Sequence, residues 1–345
     1  MDIETAKRLW DPEPGYLNTA SYGLPPRPAF ERLQSVLDDW RAGRTSWEPW
    51  GIAAEAARAS FARMIQVDPE DVAIGSTVSQ LVGLVAASLP DDAEVVVPDV
   101  EFTSATYPFM VQERRGLRVR AVPLRDLADS FTPSTTAVSF SVVQSSDGEI
   151  ADLDAIEMAA KANRVLTVVD ATQSCGWFPL DAGRFDMVTC HTYKWLMCPR
   201  GSSLLYVARE WRDKLLPVDA GWYAAEDVHG SYYGTDMHLA RSARRFDTSP
   251  AWFSWVAAEP ALDLIEEIGV EKIGAHNVAL ANRFRAGMGL EPSNSAIAAV
   301  DVPDAAARLE RAGIRAAARA GSLRAAFHIY NTEDDVDAAL DALLS

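Results

Sequence analysis

The sequence predicts an α/β protein, with a large domain built on a mostly parallel seven-stranded sheet and a small α+β domain after it. Three observations carry this. Apolar runs of strand length alternate with helix-like stretches through about residue 210, the pattern of a parallel sheet covered by helices on both faces. The run VLTVV at 165–169 is unbroken and β-branched, as a strand buried on both faces requires. The end of the chain reads β-α-β-β-α, a small unit of its own. A length of 345 residues fits one large and one smaller domain: an N-terminal segment over 1–25, a large domain over 26–255 and a small one over 256–345.

Residues 1–25 carry few helix signals, and the stretch YLNTASYGLPPRP reads as a loop able to cover the mouth of a site. Amphipathic patterns then predict helices over 28–42 and 47–64, the first with Phe30, Leu33, Val36, Leu37 and Trp40 on one face. A strand at 72–74 runs into GSTVSQ, where Gly75, Ser76 and Thr77 stand at the start of a helix over 78–89. Free N–H groups at such a start suit an anion such as phosphate, although simple N-capping explains the same hydroxyls. Strands follow at 94–97, 117–124 and 136–143, and a helix at 152–162. Phe102 lies just past the first of these strands, placed to stack on a planar ring or to join the core. Gln144, Ser145 and Ser146 lie just past the third. Strands at 165–169, 185–190 and 202–207 complete the sheet. The stretches DAGWYAAEDVHGSYYG and LARSARRFDTSPAWF lack periodicity and read as long functional loops. Helices over 252–268, 270–288, 303–312 and 334–344 close the chain, with strands around SAIAAVDV and GIRAAARAGSLRAAFHIYN.

The segment from Arg164 to Val207 carries the chemistry. Asp170 ends one buried strand and Lys194 follows the next, and ligands of open α/β sheets bind outside the carboxyl ends of the strands. An amine in a partly apolar crevice has a depressed pKa and can act as nucleophile or base. A buried carboxylate opposite a pyridine nitrogen keeps that nitrogen protonated, which makes the ring an electron sink. Pyridoxal 5'-phosphate (PLP) needs both. The chain has five lysines, and Lys7, Lys161, Lys214 and Lys272 fall in charged, helix-like stretches, so Lys194 alone follows a buried strand. The competing reading is an ordinary Asp-Lys ion pair at a strand end.

A formal charge of −17, with scattered positive residues, disfavours nucleic acid and anionic membranes as partners. A phosphorylated cofactor would need local neutralisation. No apolar run is long enough to span a bilayer, and the acidic N-terminus lacks the apolar core of a signal peptide. Cys175, Cys190 and Cys198, an odd number, point to reduced thiols and a cytoplasmic location, and they lack the spacing of a metal site.

Taken together, these pieces resemble the class V aminotransferase group of fold type I PLP-dependent enzymes, which includes cysteine desulfurases and kynureninase. The resemblance runs from YLNTASYG to LRAAFHIYNTEDDV and is sharpest at DATQ and HTYKWL. It implies that Asp170 contacts the pyridine nitrogen, Gln173 the ring hydroxyl, and that Lys194 bonds the cofactor aldehyde. It further implies Ser76 and Thr77 in the phosphate loop, Phe102 stacked on the ring, and His191 and Tyr193 at the phosphate. Ser145 falls near the ring hydroxyl or substrate, and Arg324 where an arginine binds the substrate carboxylate, a match for a guanidinium fork. RRFDTSPAW and GWY resemble stretches that reach a neighbouring subunit's site, which implies Thr248, Trp222 and a homodimer. Two departures stand out: every cysteine precedes residue 200, where desulfurases carry one on a mobile loop of the C-terminal third, and MGLEPSNSAIAAVDV is short for the family.

The resemblance implies an amino-acid substrate. The favoured activity is transamination; the alternative is a lyase, of the C–S or kynureninase-like kind. A non-catalytic PLP-binding regulator would require a DNA-binding or effector module, which the acidic charge disfavours. A Rossmann-type nucleotide binder would require a glycine-rich turn after the first strand, and GSTVSQ holds one glycine.

Overall fold

A computed structural model describes residues 1–345. The β-branched runs form seven strands: β1 (Val72–Gly75), β2 (Glu94–Pro98), β3 (Arg118–Val122), β4 (Thr135–Ser141), β5 (Leu166–Asp170), β6 (Met187–His191) and β7 (Ser203–Val207). Their order is β1-β7-β6-β5-β4-β2-β3, and β7 alone runs antiparallel to its neighbours. Helices α1 (Ile3–Lys7), α2 (Arg27–Arg41), α3 (Glu48–Met64), α4 (Val78–Ser88), α5 (Tyr107–Met110), α6 (Leu153–Asn163) and α7 (Trp252–Ile268) surround it. Because side chains alternate along a strand, Val169 of β5 faces the core shared with α3, α6 and α7, whereas Leu166 and Val168 face that of α4 and α5. Both faces are therefore dry, which is why the strands read as continuous apolar runs.

The remaining elements are α8 (Val270–Gly287), β8 (Ile297–Val300), α9 (Ala305–Arg311), β9 (Ala317–Arg319), β10 (Ser322–Ala326) and α10 (Glu333–Leu344). Their antiparallel sheet has the order β8-β10-β9, and its core includes Leu17 from the N-terminal segment. That segment runs alongside β10, with Leu17 N–H donating to the Arg315 carbonyl at 2.8 Å and Ala326 N–H to the Leu17 carbonyl at 2.9 Å.

Expected and observed elements differ in a few places. The loop expected at the N-terminus contains the single-turn α1, capped by Asp2, whose carboxylate accepts from Thr5 N–H at 2.8 Å. β6 starts at Met187 rather than at 185, because Phe185 caps a short 3₁₀ turn over Ala182–Arg184. The two aperiodic aromatic stretches hold 3₁₀ turns at Trp222–Ala224, His229–Ser231 and Ala243–Phe246. The boundary expected at residue 255 falls inside α7, which packs along α2 and α3.

One buried ion pair ties these layers together. Arg58 of α3 meets Asp247 at 2.6 Å, with side-chain exposures of 3% and 0%. Arg58 also donates to the Val72 carbonyl, and Asp247 accepts from Ile74 N–H at 2.8 Å, so both charges are locked onto β1. Burial pushes the Asp247 carboxyl up to about 6, against the pull of the Arg58 charge. Replacing Arg58 by alanine strands that carboxylate in the core, and a loss of about 3–5 kcal/mol is expected from denaturant midpoints. Arg283→Ala, which removes a half-exposed pair with Asp337, is expected to cost less than about 1 kcal/mol. Equal losses would refute a structural role for the buried pair.

Candidate active site

The carboxyl ends of five strands open on one cleft of about 200 Å³. Thr77, Val78 and Ser79 come to it from the turn after β1, Phe102 from the turn after β2, and Ser141 from the end of β4. Asp170 ends β5, and His191 ends β6. Register places Ser141, Asp170 and Thr189 side by side on β4, β5 and β6. The turn after β5 is stitched to β6 by Thr172: its N–H donates to the Asp170 carboxylate at 2.8 Å, and its hydroxyl accepts from His191 N–H at 2.9 Å.

Lys194 sits on a tight loop after β6, closed by Met197 N–H to the Lys194 carbonyl at 3.0 Å and by Thr192 N–H to the Ser202 carbonyl at 3.2 Å. Met197 takes φ of 56°, a left-handed conformation that turns the chain back towards β7. The Lys194 amine is buried and lies 5.3 Å from the centre of the Phe102 ring. Burial lowers its pKa from 10.5 to about 8; the Asp170 charge resists the change and the Arg324 charge assists it. At pH 7 that raises the neutral, nucleophilic fraction from roughly 1 in 3,000 to roughly 1 in 10. Asp170 is pushed above the usual carboxylate range by burial, opposed by its bonds to Thr172 and by the Lys194 charge. The Gln173 amide donates at 3.0 Å to both the Ala20 carbonyl and the Ser145 hydroxyl, and accepts from the Trp195 indole at 2.8 Å.

The N-terminal segment closes the cleft from above. Gly23 N–H donates to the Tyr193 carbonyl at 2.9 Å, and a Cβ at Gly23 would fall 1.9 Å from the Lys194 carbonyl oxygen, so the approach demands glycine. Arg324 of β10 is buried; its guanidinium donates to the Ser145 hydroxyl at 3.0 Å and the Ser21 hydroxyl at 2.7 Å, and its Nε has no partner. It thus stands at the end of the cleft formed by the N-terminal segment and Ser145.

Of the residues singled out from sequence, Thr77, Phe102, Ser145, Asp170, Gln173, His191, Tyr193 and Lys194 line this one cleft, and Arg324 joins it through Ser145. Ser76 does not line it; its N–H is turned to the Gln80 side chain at 2.9 Å. Trp222 packs against Trp47 and Tyr232, and Thr248 N–H donates to the Ile74 carbonyl, so neither lines the cleft of its own chain. Sequence reasoning missed Thr172, whose hydroxyl inside DATQ was the available signal. It also missed Arg200, six residues past Lys194 in a Pro-Arg-Gly turn, and Glu101. The Glu101 carboxylate accepts from Ser141 N–H at 2.7 Å, the Ser141 hydroxyl, Gln144 at 3.0 Å and Phe102 N–H at 2.8 Å, and so fixes the turn that carries Phe102.

The donors match PLP. An amine without a hydrogen-bond partner suits its aldehyde, a buried carboxylate its pyridine nitrogen, and the Phe102 ring face its planar ring. The start of α4 suits its phosphate; the buried Nε2 of His191 nearby has no partner and, with Nδ1 donating to the Ser202 carbonyl, is the acceptor of the neutral ring.

Comparison with known proteins agrees. The pattern of the family described as aminotransferase class-V matches residues 41–306. The chain is 29% identical to the uncharacterized aminotransferase YcbU of Bacillus subtilis, over 92% of this chain and 90% of that protein. It is also 29% identical to isopenicillin N epimerase of Streptomyces clavuligerus, over 98% and 96%. In fold it resembles a C-DES mutant solved with glycine covalently linked to the PLP cofactor, with a TM-score of 0.87 at 21% identity, over 99% of both chains. The strand-end cleft and the family pattern spanning most of the sequence lead to one conclusion: the chain belongs to the aminotransferase class-V family, whose enzymes work with PLP.

Proposed function

We propose that this protein is an amino-acid aminotransferase using PLP bonded to Lys194. The observation that carries this reading is one proton-carrying amine in the cleft, without a hydrogen-bond partner and with its pKa lowered to about 8, beside the buried Asp170. No thiol lines the cleft, and Cys175, Cys190 and Cys198 are all buried outside its lining, which disfavours persulfide chemistry of the desulfurase kind. The likeness to YcbU, described as an aminotransferase, supports it.

When bound, the cofactor supplies an electron-accepting ring that stabilises negative charge at the substrate α-carbon. Asp170 holds the proton on the pyridine nitrogen. Lys194 Nζ takes the α-proton and carries it along the face it occupies, and Phe102 offers an apolar surface with no competing acid or base. Arg324, already oriented by Ser21 and Ser145, takes the substrate carboxylate, and its unpartnered Nε is one of the donors it can offer. Gln173 keeps Ser145 in place. Thr77 caps the start of α4, whose N–H groups would receive the phosphate, with His191 and Tyr193 beside it. Trp222 and Thr248 lie outside their own cleft, and a second copy of the chain, visible as a dimer mass by light scattering, would bring them to it.

A lyase is the second reading, and one observation favours it: the Tyr193 phenol, a proton donor, lines the same cleft as Lys194 and could protonate a leaving group. Products separate the two. With a panel of amino acids, transamination yields a keto acid and the aminated cofactor, and the Arg324→Ala variant keeps its yellow colour but loses at least about tenfold in amino-acid affinity. Release of pyruvate with ammonia or sulfide would establish the lyase instead. Loss of colour in Arg324→Ala would make that arginine structural.

The amine's lowered pKa also predicts a pH profile. Only the neutral form attacks an aldehyde, so the rate at which cofactor-free protein captures PLP is expected to rise with pH and level off above about 8. A rise continuing towards 10.5, the ordinary lysine value, would show that Lys194 is not desolvated in solution.

A further inference from the structure

We infer that Arg200 neutralises the cofactor phosphate, an inference that rests on the reading that this cleft holds PLP. A phosphate monoester carries about −1.5 to −2 charges at neutral pH. The chain around it has a formal charge of −17 and so opposes its entry. The start of α4 contributes only about +0.5. His191 adds no fixed charge, since its Nδ1 lies 2.9 Å from the Ser202 carbonyl and burial lowers the ring pKa to about 4. Lys194 is committed to the aldehyde. Among the residues lining the cleft, Arg200 is the one remaining cation.

Its placement suits the task. Arg200 leaves the same closed loop as Lys194, and its carbonyl is pinned by the Ser254 hydroxyl at 2.8 Å. Its guanidinium lies 4.9 Å from the centre of the Tyr193 ring, which steers it by stacking rather than by a carboxylate. Tyr193 in turn packs edge-on against His191, with ring centres 4.3 Å apart, so Arg200, Tyr193 and His191 form one side of the cleft. The buried Nε2 of His191 has no partner there and, as the acceptor of the neutral ring, awaits a group that brings a proton, such as a singly protonated phosphate. Arg324 stands instead with Ser21 and Ser145, where a substrate carboxylate enters. The two guanidinium groups thus divide the work: Arg200 for phosphate, Arg324 for carboxylate.

The test compares PLP with pyridoxal, which lacks the phosphate, in absorbance titrations of the full-length cofactor-free protein. Arg200→Gln is expected to weaken PLP binding at least about tenfold while leaving pyridoxal binding unchanged, and Arg200→Lys to recover most of the loss. Inorganic phosphate should compete with PLP for the wild-type protein and do so at least about tenfold more weakly for Arg200→Gln. Equal weakening of PLP and pyridoxal, or no weakening of either, overturns the assignment while leaving the cofactor reading intact. A wild-type chain that binds pyridoxal and PLP equally well would also overturn it, and one that binds neither would remove the cofactor reading and this inference together.

Discussion

The structure depends on burying Asp170 and the Lys194 amine beside one another, at the ends of two adjacent parallel strands. Taking an amine and a carboxylate out of water is unfavourable for both, and the attraction between them returns only part of that. Lowering the amine from 10.5 to about 8 corresponds to roughly 3 kcal/mol against its charged form. The sheet can sustain that cost because β5 and β6 are held on both faces by dry cores. What the fold gains is an amine that is already reactive and a carboxylate already fixed in the same cleft, with no further rearrangement needed.

The remaining parts of the cleft fix these two groups in place. Thr172 ties the turn bearing Asp170 to β6, and Gly23 lets the N-terminal segment rest directly on the Lys194 backbone. That segment also runs along β10, so Arg324 in the small domain and Lys194 in the large one are linked through residues 17–23 and the Ser145-Gln173 bonds. A continuous hydrogen-bonded path thus joins Arg324 to the loop that carries Lys194, although the two residues belong to separate domains.

Much of this was legible from sequence, for physical reasons. A strand buried on both faces can only be an unbroken apolar run, so VLTVV announced both itself and the carboxylate at its end. Lys194 stood out because the other four lysines lie in charged helices. Strand ends were less legible, since capping at Phe185 depends on a turn formed by neighbours. Arg200 was not legible at all: nothing in sequence separates it from the other arginines, and although it stays exposed, only the closed loop brings it over Tyr193. Ser76 and Thr77 looked equivalent, but Thr77 caps α4 and lines the cleft while the Ser76 N–H turns to Gln80. Trp222 and Thr248 were expected in a site shared between subunits, and a single chain places them outside its own cleft.

The most direct measurement is borohydride reduction of the PLP-loaded protein followed by peptide mapping. A pyridoxyl group fixed on Lys194, and on none of the other four lysines, is the expected result. Labelling of Lys7, Lys161, Lys214 or Lys272 with Lys194 unmodified would contradict the account.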